Sequence, residues 1–212
     1  DDKIGSITHP HLKTLLNSFF EDAVLLEKFK KSPAAKKLHQ AYRGGLAEHT
    51  LNVCQICETI CQIYPQINRD FLISAALLHD IGKVEEYQLR GIIDHTDKGK
   101  LIGHIIIGAE MIEEKIKLIK GFPEDLAMMF KHTILSHHGK LEFGSPKLPS
   151  ILPALALFYA DDTDAKLNGL VSLKEENKNL DKKWSEWVWW LERPIFLAED
   201  DIIKESGNRL EE

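Results

Sequence analysis

The chain has 212 residues, of which 43% are hydrophobic and 28% charged, as expected for a globular protein with its own core. Because no run of about 18 apolar residues occurs, we expect no membrane span. The formal charge of −6 argues against a polyanionic ligand. Three cysteines are too few for a disulfide framework, and the first residues lack a leader pattern, so we expect a cytoplasmic protein.

Hydrophobic residues recur with helical periodicity along most of the chain. Helices are predicted at about residues 11–30, from Ser32-Pro33 onward, at 46–64, from Asn68 to about Gly82, and at 103–120, 123–138, 149–168 and 180–206. Residues 71–78 are apolar on all sides, so this helix is expected at the centre. Glycines and the Ile92-Ile93 pair in residues 84–100 predict a small hairpin or a loop.

The fold class predicted from this pattern is all-α. We expect one domain over residues 1–212, with N-terminal helices in about residues 1–40 and a C-terminal extension from about residue 175 to 212. Three cysteines at helical spacing are expected to pack in the core rather than hold zinc. The tryptophan-rich stretch 184–190 is expected to pack on the helices, with a subunit contact or base stacking as alternatives.

A basic segment runs from Lys28 to Arg43, with six basic residues and no acidic one. It is either a solvated helix face or a surface that faces phosphate groups. Because it leads directly to His49, we favour the second interpretation and assign Lys36, Lys37 and Arg43 to substrate binding.

Six of the ten histidines lie near glycines or predicted helix ends. They are His49, His79, His104, His132, His137 and His138. The pair His79-Asp80 ends the apolar helix, and a buried carboxylate needs a counter-charge. Lys83 supplies that charge in one interpretation, and a divalent cation held by His79 and Asp80 supplies it in the other.

Aspartates complete this set of polar residues in the apolar segment LALFYADDTDA. Asp161 and Asp164 share one helical face, and Asp164 either orients a metal ligand or is a solvated surface group. The loop 139–149, which contains Lys147, follows the pair His137-His138 and either shapes a substrate pocket or simply connects two helices.

The order of a histidine, a His-Asp pair in an apolar helix and a later aspartate resembles the HD-domain superfamily of metal-dependent phosphohydrolases. The strings GGLAEHT, AALLHDIGK, GHIIIGAEMI, LSHHGKLEFGSPKLP and FYADDTDAK look like the HD domain of the YhaM-type 3′→5′ exoribonucleases, over about residues 10–195. In that family an OB-type nucleic-acid-binding domain precedes the HD domain. We therefore expect either a fragment or a stand-alone homologue with an HD-domain helical bundle.

The resemblance implies a metal-dependent phosphodiesterase acting from the 3′ end of RNA or single-stranded DNA. It implies metal ligands at His49, His79, Asp80 and Asp161, and around a second ion at His104, His137 and His138. Asp80 would bridge the ions, and Lys83 would face the substrate phosphate, so both are assigned to catalysis. Lys147 is added to the substrate-binding residues. Such a histidine-rich set suits Mn, Fe, Ni or Zn.

Three other functions remain open at this point. They are a phosphohydrolase acting on mononucleotides, an HD-type di-iron oxygenase, and a non-catalytic module that senses a nucleotide. The first two functions would use every predicted metal ligand, whereas a non-catalytic module would not need all of them.

Overall fold

A computed structural model describes residues 2–36, 40–89, 92–178 and 182–198. The helices within these ranges are α1 (Asp2–Gly5), α2 (Pro10–Phe20), α3 (Ala23–Lys31), α4 (Gly45–Ile63), α5 (Arg69–Leu78), α6 (Lys83–Glu86), α7 (Asp97–Leu101), α8 (His104–Leu118), α9 (Glu124–Ser136) and α10 (Leu152–Asn177). A short 3-10 helix spans Leu141–Phe143. The predicted all-α class is therefore confirmed.

Helix α5 lies at the centre of the bundle, as its sequence predicts. Each residue from Phe71 to Leu78 is buried, and α5 packs against α2, α4 and α9. The side chain of Asn68 caps the helix by accepting a hydrogen bond from the backbone N–H of Phe71. Because α5 is enclosed on several sides, its C-terminal end delivers the next residues, His79 and Asp80, into the interior.

The single helix predicted over residues 11–30 is wrong, because the chain forms α2 and α3 there. The helices are separated at Asp22, whose carboxylate accepts hydrogen bonds from the backbone N–H groups of Val24 and Leu25. Both helices bury apolar residues in one core, so the periodicity continues across the break.

The helix predicted to start at Ser32-Pro33 is also wrong for the described residues 32–36. Ser32 is instead the C-cap of α3, and its backbone N–H donates to the carbonyl of Lys28. Lys37, assigned above to substrate binding, lies outside the described residues. Its neighbours 38 and 39 do so as well.

Of the two alternatives predicted for residues 84–100, a small hairpin and a loop, the hairpin is present. Strands β1 (Tyr87–Leu89) and β2 (Ile93–His95) are antiparallel, with Tyr87 opposite His95. Helices α6 and α7 flank them directly, so the segment from residue 83 to residue 101 forms a compact excursion between α5 and α8. This excursion brings the start of α8 back to the end of α5.

The chain divides into two compact units, Asp1–Lys166 and Leu167–Glu212. In the second unit the predicted helix over 180–206 is wrong for residues 182–198, where bridges pair Trp184 with Phe196 and Val188 with Arg193. Core packing is also the wrong prediction for Trp184 and Trp187, which are 56% and 66% exposed.

Two further predictions concern the cysteines and the membrane. Cys54 and Cys57 are buried in the core, and Cys61 is half-buried, each as a free thiol. Across the described ranges, no helix combines the length and the apolar character that spanning a bilayer demands.

Candidate metal centre

The ends of several helices bring the predicted ligands to one place in the first unit. His49 lies in the second turn of α4, His79 and Asp80 directly follow α5, and His104 is the first residue of α8. The pair His137-His138 follows α9, and Asp161 lies in α10. Helix ends suit this purpose, since the chain can turn there and aim successive side chains inward.

The first group of ligands consists of His49, His79 and Asp161, whose ligand atoms lie within 4.8 Å of one another. His49 Nε2 is 3.0 Å from Asp161 Oδ1 and 3.3 Å from His79 Nε2. Both imidazoles are completely buried, whereas the Asp161 side chain is 14% exposed. The group can therefore hold one metal ion that is reached past Asp161.

The second group consists of His104, His137 and His138, which also lie within 4.8 Å of one another. Their rings are close, with centroids 4.5 Å apart between His137 and His138 and 5.1 Å between His104 and His138. Three imidazoles without a carboxylate of their own form a softer, nitrogen-rich group than the first.

Asp80 lies between the two groups and presents one carboxylate oxygen to each. Its Oδ2 is 3.3 Å from His79 Nε2 and 3.6 Å from His49 Nε2. Its Oδ1 is 3.4 Å from His104 Nε2 and 3.6 Å from His137 Nε2. The carboxylate is thus placed to be shared by two ions.

Backbone carbonyls fix the tautomers of three of the rings. Nδ1 of His79 donates to the carbonyl of Ala76 at 2.8 Å, and Nδ1 of His137 donates to that of Ile134 at 2.6 Å. Nδ1 of His138 donates to the carbonyl of Phe143 at 2.8 Å. Because a carbonyl only accepts, each neutral ring keeps its lone pair on Nε2, the nitrogen that faces the centre.

Carboxylates hold the other two rings. His49 Nδ1 is 2.6 Å from Asp164 Oδ2, and His104 Nδ1 is 3.1 Å from Glu86 Oε2. Asp164 is buried, which supports the interpretation that it orients a ligand over that of a solvated surface group.

The buried acceptors provide a test of whether a cation fits. Asp80 Oδ1, His104 Nε2 and His137 Nε2 are buried and accept no hydrogen bond within the described ranges. An unsatisfied buried polar atom costs about 1–3 kcal/mol, so three in one place would be expensive without a ligand. A divalent cation accepts electron pairs from all three, and the residues therefore fit a metal ion.

Electrostatics keeps the second group neutral. Burial lowers the pKa of His104 and of His137, and it lowers the pKa of His138 to about 4. At neutral pH these rings are therefore unprotonated, which is the form that binds metal.

The pKa values of the buried aspartates and of His49 depend on the charged groups around them. Burial alone would raise the pKa of Asp80 and Asp161. Lys83 and neighbouring histidines instead hold the pKa of Asp80 well below its usual range, and His49 and other histidines do the same for Asp161. Burial opposes the charge on His49, yet hydrogen bonds to Asp161 and Asp164 raise its pKa to about 9. Positive charge is thus favoured at His49, and a metal cation at Nε2 would supply it in place of a proton.

Similarity to known proteins agrees with this geometry. The family described as "HD domain" matches residues 46–166, which is more than half of the chain. The chain belongs to the HD-domain family. The matched region contains each of the ligands named above, from His49 to Asp161.

Curated relatives of this HD-domain chain carry the name 3′-5′ exoribonuclease YhaM. The protein from Shouchella clausii is 38% identical over 167 residues, which cover 78% of this chain and 51% of that protein. The Bacillus subtilis protein is 36% identical over 169 residues, covering 80% and 53%. The chain spans about half the length of the curated relatives it matches. No solved structure matches.

The described basic residues of the HD-domain chain that were assigned to catalysis or substrate binding differ from one another in burial and in ion pairing. Lys83 Nζ is 2.6 Å from Asp80 Oδ2 and is buried, which is the counter-charge arrangement that the sequence left open. Lys36 pairs with Asp94 of the hairpin at 2.8 Å, at an exposed position. Arg43 and Lys147 are exposed.

Two residues of this centre escape sequence reasoning. Gln40 Nε2 donates to Asp164 Oδ2 at 3.1 Å, and Glu86 accepts from His104. In the sequence, Glu86 differs from its half-buried neighbour Glu85 only in lying one helical turn after Lys83. Helical spacing is a weak signal in a four-residue helix.

Proposed function

We propose that the chain is a metal-dependent phosphodiesterase that removes nucleotides from the 3′ end of RNA or single-stranded DNA. The main support is the orientation of Asp80, whose two carboxylate oxygens face two separate groups of candidate ligand atoms. The names of the curated relatives support the 3′→5′ direction of degradation and the RNA substrate. The aligned region covers only about half of each of those proteins, so the activity is proposed here and not transferred as a fact.

The proposed ligands are His49, His79, Asp80 and Asp161 for one ion and His104, His137 and His138, with Asp80, for the other. Divalent ions bound there would supply an activated water at neutral pH and charge neutralisation of the phosphodiester. Because the second group is made of imidazoles, we propose Mn, Fe, Ni or Zn and not Mg or Ca.

The chain's own groups have distinct parts in the proposed reaction. The buried imidazoles exclude bulk water and present lone pairs already fixed on Nε2. Lys83 holds Asp80 in its ionised form, and we propose that its ammonium also stabilises charge on the non-bridging phosphate oxygens. Asp161 and His138 are partly exposed and border the route by which a phosphate reaches the centre.

The basic residues outside the centre are proposed to contact the nucleic-acid backbone. Arg43 and Lys147 are exposed and available to phosphates, whereas Lys36 would first have to exchange Asp94 for a phosphate. Lys37 is retained as a proposal from the sequence. We also propose one HD-type domain over residues 1–212, with about residues 175–212 as its C-terminal extension, in a cytoplasmic protein.

The test uses a 5′-labelled RNA oligonucleotide with Mn²⁺, with and without a chelator. We expect a ladder of products shortened from the 3′ end that disappears with the chelator and in Asp80→Asn and His79→Ala. An unchanged ladder in either variant would overturn the proposal.

The same preparation separates the alternatives. Phosphate release from mononucleotides with the RNA intact would indicate a nucleotide phosphohydrolase. Oxygen consumption by the iron-loaded protein would indicate a di-iron oxygenase.

A further inference from the structure

A buried glutamate that the proposed chemistry does not use lies against the second ligand group. Glu86 is the last residue of α6 and is only 5% exposed. Its Oε1 accepts from the backbone N–H of His104 at 3.1 Å, and its carboxylate lies 3.1 Å from Nδ1 of the same residue. One side chain therefore holds both the main chain and the ring of His104.

The backbone contact makes Glu86 a cap supplied from another helix. Helix α8 begins at His104, and its N-cap residue Gly103 has no side chain with which to cap it. The first N–H groups of a helix lack partners, and a carboxylate there is also favoured by the helix dipole. Glu86 thus fixes the position from which the His104 side chain projects.

Two glycines permit this close approach. A Cβ atom at Gly99 would lie 2.3 Å from the carbonyl oxygen of Glu86 and 2.9 Å from its Cγ. A Cβ atom at Gly82 would lie 2.1 Å from the carbonyl oxygen of His104. The backbone is therefore packed tightly around both partners, and the carboxylate has little freedom to leave the ring.

The ring contact determines which nitrogen faces the centre. Because the carboxylate accepts the Nδ1 proton, the lone pair of His104 lies on Nε2, which is 3.4 Å from Asp80 Oδ1. Asp164 has the matching relation to His49 in the first group, at 2.6 Å. Each group thus contains one imidazole held by a buried carboxylate, while the remaining rings donate to backbone carbonyls.

We propose that Glu86 is a positioning residue for the second metal ion, acting by capping α8 and by fixing His104 as an Nε2 ligand. The inference rests on the metal centre proposed above and is independent of which substrate that centre cleaves. It is specific to one of the two ions, because in the described part of the chain the Glu86 side chain forms no hydrogen bond or ion pair with His49, His79 or Asp161.

The experiment measures how many Mn²⁺ or Zn²⁺ ions bind per chain, and how tightly, by titration calorimetry and elemental analysis. We expect two ions in the unchanged protein. In Glu86→Ala one of the two ions should bind about 10–100-fold less tightly, as is typical when a group that orients a ligand is removed, and the other ion should be unaffected. Glu86→Gln keeps an accepting oxygen, so its loss should be smaller.

Two comparisons separate positioning from a general loss of stability. Glu58→Gln is the matched control, because Glu58 is a largely buried carboxylate paired with Arg69 and Lys3 and belongs to neither ligand group. It should bind both ions normally. In a His104→Ala background, Glu86→Ala should cause little further loss of metal affinity, because both contacts of Glu86 affect the ion only through the His104 side chain.

The outcomes that overturn the inference are distinct from those that overturn the function. Unchanged affinity for both ions in Glu86→Ala, or one ion in the unchanged protein, would overturn it. If Glu86→Ala does not fold by circular dichroism, Glu86→Gln decides, and normal binding of both ions by that variant would overturn it. RNA hydrolysis by the unchanged protein is scored separately, so loss of the proposed function leaves the ion count interpretable.

Discussion

Removing the charge of Asp164 tests whether a carboxylate behind a ligand controls the first metal group. Asp164 Oδ2 is 2.6 Å from His49 Nδ1, and the same oxygen accepts from Gln40 at 3.1 Å. Asp164→Asn keeps the shape and removes the charge, so the fold should persist. We expect metal affinity to fall about 10–100-fold, which corresponds to about 1.4–2.7 kcal/mol.

The control lies on the same helix. Asp162 pairs with Lys166 at 2.7 Å in a partly exposed ion pair, which is worth at most about 1 kcal/mol. Asp162→Asn should therefore leave metal affinity and RNA cleavage unchanged. The assay is Mn²⁺ titration followed by cleavage of labelled RNA at saturating metal. Equal metal affinities in the two variants would refute the reasoning, since Asp164 would then only fill space beside His49.

Three further predictions concern stability, pH and salt. Gly139 has φ +72°, and a Cβ there would lie 2.2 Å from the ring of Phe158, so Gly139→Ala should lower the free energy of unfolding by more than about 1 kcal/mol in urea titrations. Burial opposes ionisation of Asp70, but hydrogen bonds from the N-terminal segment lower its pKa. The stabilisation by ionised Asp70 should therefore be complete above its unfolded-state pKa and be lost as the pH falls through its folded-state pKa. In measurements of the free energy of unfolding against pH, Asp70→Asn should remove this contribution to the loss of stability in acid. Arg43→Ala should reduce the slope of log affinity against log salt by about 1 in RNA-binding titrations, whereas Lys36→Ala should change it less, because Lys36 is already paired. Equal slopes in those two variants would contradict the last prediction.

The basic segment shows why local charge counting is incomplete. Its sequence contains no acidic residue, yet Lys28 pairs with Glu85 and Lys36 pairs with Asp94, both more than fifty positions away in the chain. Tertiary packing thus supplies counter-charges that no window of the sequence reveals. The proposed phosphate contact therefore depends most on Arg43, which is exposed, and on Lys147.

Local patterns were sufficient for several elements. The apolar run of α5 predicted its central place because a helix that is hydrophobic on all sides must be enclosed. Glycines and the Ile92-Ile93 pair predicted a small hairpin or a loop, and the structure has the hairpin. The break between α2 and α3 escaped detection because both helices share one core, so the only signal was the capping side chain of Asp22.

The sequence alone predicted the kinds of candidate ligand, namely imidazoles and carboxylates beside helix ends, because a buried carboxylate needs a counter-charge, whether from Lys83 or from a metal ion. Only the tertiary structure decided that the two oxygens of Asp80 face different groups, that Lys83 pairs with Asp80, and that Glu86 and not Glu85 holds His104. The physical reason is that sequence periodicity is a local signal. Periodicity reports which face of one helix is buried, whereas a metal centre depends on distances of a few ångströms between helices far apart in the chain, and packing alone sets those distances.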